Sequence, residues 1–201
     1  STQGVSSAAS DVYKRQYLVR HQNNNLMEIQ MISNKNALMQ ALYNDDMEAV
    51  RAELAKGADV NQPYNAAGWT PFMWACKEFF ETDRIKLFLE AGSNVSSRNK
   101  DGETPFMVAA KRRSSPATLK LLLDAGSDIN TQDNKGTTAF INMVRHPQAM
   151  MRLSILDFMI ENGANPNISD KSGKSVWDYA AEQDGMTDYL CVRLLEESCH
   201  E

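Results

Sequence analysis

An all-α fold is predicted for this 201-residue chain: a solenoid of about five helix-turn-helix units joined by β-hairpin-like fingers. Three observations predict it. A glycine returns at the close of one apolar pattern, in Leu54 to Asn61, Leu89 to Ser96, Leu123 to Asn130 and Ile160 to Asn167. Gly57, Gly92, Gly126 and Gly163 lie 35, 34 and 37 residues apart. A second landmark keeps step with the first: Thr70-Pro71-Phe72-Met73, Thr104-Pro105-Phe106-Met107, Thr138-Ala139-Phe140-Ile141 and Ser175-Val176-Trp177-Asp178 each follow a glycine by two positions. Between the two landmarks, apolar residues recur four apart. A fixed period of this length means stacked units, none of which buries its apolar face alone.

Each element follows from a local rule. Thr or Ser followed by Pro reads as an N-cap with proline at the first helical position, where its missing N–H is no loss. The first helix of each unit therefore starts at the second landmark. Val50 and Leu54, Ile85 and Leu89, Leu119 and Leu123, and Leu156 and Ile160 hold one offset from the coming glycine. They predict a second helix with one buried stripe. The glycine ends that helix by taking the left-handed conformation at C′, and an extended finger leads to the next unit.

The outer units differ, as end caps should. Ala37 to Tyr43 and Met47 to Lys56 supply two helices without a Thr-Pro start. The last unit, Ser175 to Gln183 and Thr187 to Glu197, carries Asp178, Glu182, Asp188, Arg193, Glu196 and Glu197, and no glycine finger follows. The expected repeats run approximately 36–64, 65–98, 99–132, 133–169 and 170–201. Two are caps and three are full units.

Glycine, one residue, Thr-Pro, two apolar positions and Ala, closing on Gly-Ala-Asp-Val-Asn, resembles the ankyrin repeat, with its period of about 33 and its Thr-Pro-Leu-His-x-Ala signature. The resemblance covers residues 36–201, with four matches in register. One departure matters: Met73, Met107, Ile141 and Asp178 stand where the family has histidine. That puts in question the hydrogen bonds this histidine makes between neighbouring repeats.

The resemblance implies protein binding through a concave groove lined by finger tips and by the exposed face of the first helices. Aligning the units places Trp69, Glu103, Thr137 and Lys174 at one finger position. Lys77 with Glu78, Lys111 with Arg112, Arg145 with His146, and Glu182 with Gln183 fall at the ends of the first helices. Trp69 and Tyr64 are candidate aromatic anchors; alternatively Trp69 folds back on Phe72 or the first repeat. Trp74 and Trp177 read as core packing. The candidate partner-binding set is Tyr64, Trp69, Lys77, Glu78, Glu103, Lys111, Arg112, Arg145 and His146. Lys111-Arg112-Arg113 and Arg145-His146 fall in adjacent repeats, so they form either a basic strip suited to an acidic peptide or solvated loops of long side chains. An insertion at His146 to Met151 in the fourth unit offers Met150 and Met151 as an adaptable contact or as filler between helices.

Other functions are poorly supplied. The formal charge of −5 and the absence of stacking aromatics within the basic strip argue against nucleic acid. No run approaches about 18 apolar residues, so no membrane span is expected. Three scattered cysteines, Cys76, Cys191 and Cys199, suggest no disulfide framework. Cys76 takes a slot equivalent to Ala110 and reads as a packed thiol in a reducing, cytoplasmic setting. The three histidines His21, His146 and His200 sit in no ligand spacing, and Cys199-His200-Glu201 lies at a terminus without fixed geometry. No catalytic residue, metal or cofactor is expected. The expected function is a monomeric, non-catalytic binding module. Alternatives are a regulatory or targeting fragment of a larger enzyme or effector, and an inhibitory, immunity-type protein.

Residues 1–16 are set apart from the fold. Ser6 to Gln16 resembles a translated transposase-type sequencing adapter, matching eleven residues in one frame. It reads as an artefactual leader from a metagenomic, bacterial source, or else as a disordered Ser/Ala-rich terminus. Residues 17–35 form an N-terminal extension or pre-helix, and 36–201 the repeat domain.

Overall fold

The computed structural model describes residues 37–79, 81–112, 114–146 and 153–198, without the side chains of 195–198. The leader, the extension, Arg113, the Met150-Met151 pair, Cys199 and His200 lie outside the described residues. The chain divides into two compact units at residue 56. Ten helices are present among the described residues.

The first unit holds α1, Ala37–Tyr43, and α2, Met47–Ala55. Asp46 caps α2 by accepting from the Ala49 amide at 2.9 Å. Leu38, Met39, Leu42 and Val50 are buried.

The second unit holds four helix pairs: α3 (Pro71–Glu78) with α4 (Thr82–Glu90), α5 (Pro105–Lys111) with α6 (Pro116–Asp124), α7 (Ala139–Val144) with α8 (Leu153–Glu161), and α9 (Val176–Ala181) with α10 (Met186–Ser198). First helices stack on first helices and second on second, so two layers enclose the core. Thr70, Thr104 and Thr138 hydroxyls accept from the amides of Met73, Met107 and Ile141 at 3.1, 3.3 and 3.2 Å. At the other end Gly126 closes α6 in the Schellman manner: its amide bonds to Leu123 O, and the Ser127 amide reaches back to Leu122 O. Phe72, Phe106 and Phe140 are fully buried, each contributing about 2–3 kcal/mol by removing apolar area from water.

In α8 the expected i, i+4 pair holds, with Leu156 and Ile160 both buried, but in α4 and α6 the second-helix stripe runs differently. There Ile85 pairs with Phe88 and Leu119 with Leu122, all fully buried, whereas Leu89 and Leu123 are only half-buried. Spacings of three and four share a helix face, and in α4 and α6 the packing against the first-helix layer selects three. Trp74 and Trp177 also depart from expectation, because neither is a core residue. Trp74 is half-buried and meets Phe79 edge to face at 5.6 Å. Trp177 shares the slot of Phe72, Phe106 and Phe140, but among the described residues no unit follows to cover it, and its Nε1 donates to Asn167 Oδ1 at 3.2 Å.

Met73, Met107 and Ile141, the residues in the histidine slot, are buried apolar filling. Polar contact between units runs instead through the fingers. The amides of Lys100, Asn134 and Lys171 each donate to the preceding finger, at Ala67 O, Asp101 O and Lys135 O, all at 2.9 Å. No finger forms a strand among the described residues. Each closes through one backbone bond at its base, as from Asn99 N to Glu103 O at 3.1 Å, and one at its tip, as from Gly102 N to Asn99 O at 2.9 Å, while a side chain replaces the return bond at the base.

Candidate functional site

The residues proposed for binding lie where the fingers meet the first helices. Asn65, Asn99, Asp133 and Asp170 each start a finger, and their Oδ1 atoms accept two amides, two and four residues on. For Asn99 these are Asp101 N at 3.0 Å and Glu103 N at 2.9 Å; for Asp133 they are Lys135 N at 2.8 Å and Thr137 N at 2.9 Å. An Asx side chain mimics a backbone turn in this way. The turn presents residues 69, 103, 137 and 174 in equivalent places, just ahead of each first helix.

Each of those four residues is tied to the end of its own first helix, eight positions on. Trp69, half-buried, carries Lys77 Nζ over its ring at 5.7 Å, which favours the cation through the ring quadrupole. Glu103 pairs with Lys111 and accepts from Asn99 Nδ2 at 2.9 Å. Lys174 pairs with Glu182 at 2.6 Å, the same contact with signs reversed. Thr137 reaches Arg145 through a relay: Asn142 Nδ2 donates to Thr137 Oγ1 at 3.3 Å, and Arg145 Nη2 donates to Asn142 Oδ1 at 2.9 Å.

Tyr64 is half-buried, and its amide donates to Trp69 O at 2.9 Å, which closes the first finger. Glu78 lies 3.0 Å from Lys77. Arg112 is half-buried at the end of α5, its amide on Ala109 O. Arg145 and His146 are exposed at the end of α7. The structure thus brings Trp69 to Lys77 and Glu103 to Lys111. The basic strip is narrower than the sequence suggests, because Glu103 takes up the Lys111 charge.

Two contributors are absent from the sequence reading. Asn142 is buried with 8% exposure, and Tyr179 lies between two cations, with Arg145 and Lys174 5.8 and 5.3 Å from its ring centre. The Tyr179 hydroxyl donates to Asp170 Oδ2 at 2.7 Å. Desolvation pushes the Asp170 carboxyl up, but hydrogen bonds from the Ser172 and Tyr179 hydroxyls and from the Lys174 and Ser172 amides outweigh it and lower its pKa to about 2. Glu182 raises the Lys174 pKa through its hydrogen bond and its charge.

The Cys76 thiol is fully buried, and burial pushes its pKa up, away from the reactive thiolate. Among the described residues no three His, Cys, Asp or Glu side chains cluster as metal ligands, and no helix is long and apolar enough to cross a membrane.

A family model described as ankyrin repeats (3 copies) matches residues 8–99, 79–170 and 106–200. No curated relative matches the chain.

Proposed function

We propose that this chain, which belongs to the ankyrin-repeat family, is a non-catalytic module that binds a partner protein against its fingers and first helices. One observation carries the reading: the four finger residues are each fixed to the end of a first helix by a specific contact. A surface whose long side chains are already ordered loses less rotamer freedom on binding. Trp69 supplies an amphipathic aromatic of the kind that anchors interfaces, and Arg112 and Arg145 supply positive charge.

The test takes the full chain and a partner recovered by affinity capture, with surface-bound kinetics as the readout. Trp69→Ala is expected to raise the dissociation rate about tenfold or more. Arg112→Glu with Arg145→Glu is expected to slow association and flatten its salt dependence. Binding indifferent to all three changes, but lost on Val192→Asp at the exposed face of α10, would move the site elsewhere.

A further inference from the structure

Four first helices end in a charged side chain at equivalent positions, and three of these are matched by an opposite charge. Lys77 has Glu78, Lys111 has Glu103, and Glu182 has Lys174. Arg145 is the exception. Its partners are neutral, the Asn142 amide oxygen at 2.9 Å and the Tyr179 ring, and no carboxylate pairs with it among the described residues.

The difference originates one finger earlier. Where Asn99 starts the finger, its Nδ2 steadies Glu103, which takes up the charge of Lys111. Where Asp133 starts it, a glutamate at the same place would meet a like charge. The residue there is Thr137, whose hydroxyl donates to Asp133 Oδ2 at 2.5 Å. The relay to Asn142 and Arg145 follows. Val108 fills the Asn142 slot in the preceding unit, so packing alone does not require an amide. A buried amide is costly unless its groups are bonded, and one end of this amide holds Arg145 in place.

We propose that Arg145, oriented by Asn142 and Tyr179, is a seat for an aspartate or glutamate side chain of an acidic segment of the partner protein. The inference rests on the protein-binding reading above and names the chemistry of the partner. A planar guanidinium takes a carboxylate through two parallel hydrogen bonds, and orienting it beforehand lowers the ordering cost. A run of nucleic-acid phosphates fits less well. The chain carries a formal charge of −5, and carboxylates occupy the equivalent region of both adjacent units, at Glu103 and Glu182.

The test follows the Arg145 Nε–Hε resonance of the ¹⁵N-labelled full chain during titration with three probes: an alternating glutamate-glycine peptide, its glutamine-glycine counterpart, and single-stranded oligothymidylate. The glutamate peptide alone is expected to move the signal, and Arg145→Gln is expected to weaken its binding about tenfold. Asn142→Val, which restores the residue type of the preceding unit, is expected to weaken it severalfold while the fold is retained, as a positioning role requires. Asp133→Asn with Thr137→Glu sets a carboxylate opposite Arg145, as Glu103 stands opposite Lys111, and is expected to abolish the response. Should that double variant melt early, Arg145→Gln carries the decision.

An unmoved Arg145 signal, an equal response to the glutamine peptide or to oligothymidylate, or full binding by Arg145→Gln would overturn the proposal. If the seat fails while Trp69→Ala still loosens a captured partner, the wider protein-binding reading stands. A partner indifferent to both positions would sink the two together.

Discussion

Gly102 and Asn134 sit so close that a Cβ on the glycine would lie 2.5 Å from the Asn134 side-chain oxygen and 2.7 Å from its backbone nitrogen. Gly102 also has φ +80, in the region that favours glycine. The close approach lets Asn134 bond to the preceding finger twice, from its amide to Asp101 O at 2.9 Å and from Nδ2 to Lys100 O at 2.6 Å. Gly102→Ala therefore combines backbone strain with a clash against main chain, at an expected cost of about 3 kcal/mol. Gly126 has positive φ but open space around it, so Gly126→Ala should cost only about 1 kcal/mol. Urea denaturation of the two variants checks the order, and equal losses would mean that the finger contact contributes nothing.

A missing bridge suggests a stabilising change. Within the second compact unit, Asn61 bridges to the end of α4 by donating to Gly92 O at 3.0 Å and accepting from the Asn94 amide at 2.7 Å. Asn130 does the same with Gly163 O at 3.0 Å and Asn165 N at 2.8 Å. Ser96 holds the equivalent slot between them, and its side chain is too short for that span. Ser96→Asn places an amide opposite Gly126 O and Asp128 N, and should add about 1 kcal/mol. A thermal melt that stays put or falls would show that this pair of units is spaced differently from its neighbours.

Much of the fold was legible because its signals act within one helical turn. Thr104-Pro105 states where α5 begins, and Gly126 states where α6 ends, whatever surrounds them. Leu89 is only half-buried: spacing marks a helix face but does not say which residue of the face the neighbouring layer covers, and that residue is Phe88. Trp74 and Trp177 are half-buried for the same reason, since burial depends on what lies opposite. Within the candidate site, the alignment found Glu103 and Lys111 as separate columns. Their pairing needs the finger to fold back over the helix end, which no local rule states. Asn65, Asn99, Asp133 and Asp170 were legible but unread: an Asx residue stands three before each finger glycine, a recognised turn signal.

Acid should loosen the last finger selectively. The folded pKa of Asp170 is lowered, from the ordinary carboxylate value of 3.8 to about 2. A depressed carboxylate contributes stability that is present above its unfolded pKa and is lost as pH falls through the folded value. The contribution should thus be intact above about pH 4 and fade toward pH 2. Asp170→Asn removes the charge but keeps the shape, so its melting temperature should fall below that of the parent at pH 6 and converge with it near pH 2. Parallel curves over that range would assign the loss to another group.

The outer contact between α8 and α10 sets how the end of the array opens. Asp157 accepts from the Tyr189 hydroxyl at 2.6 Å and from Arg193 Nε at 2.5 Å, and Arg193 also reaches Glu161 at 3.1 Å. Desolvation and the neighbouring carboxylate push the Tyr189 pKa up, so the phenol stays a donor through ordinary pH. Arg193 and Asp157 are about one-third exposed, and solvent screening keeps the value of their ion pair below about 1 kcal/mol. Asp157→Ala removes the acceptor of both donors at once and should cost about 1–2 kcal/mol, more than Arg193→Ala or Tyr189→Phe alone. In a stacked array each unit touches only its neighbours, so the loss should be local. Amide hydrogen exchange should quicken along α10 while α3 and α5 keep their protection. Uniform loss of protection across all the helices would instead mean that the second unit opens as one cooperative body, with its last helix pair no weaker than the rest.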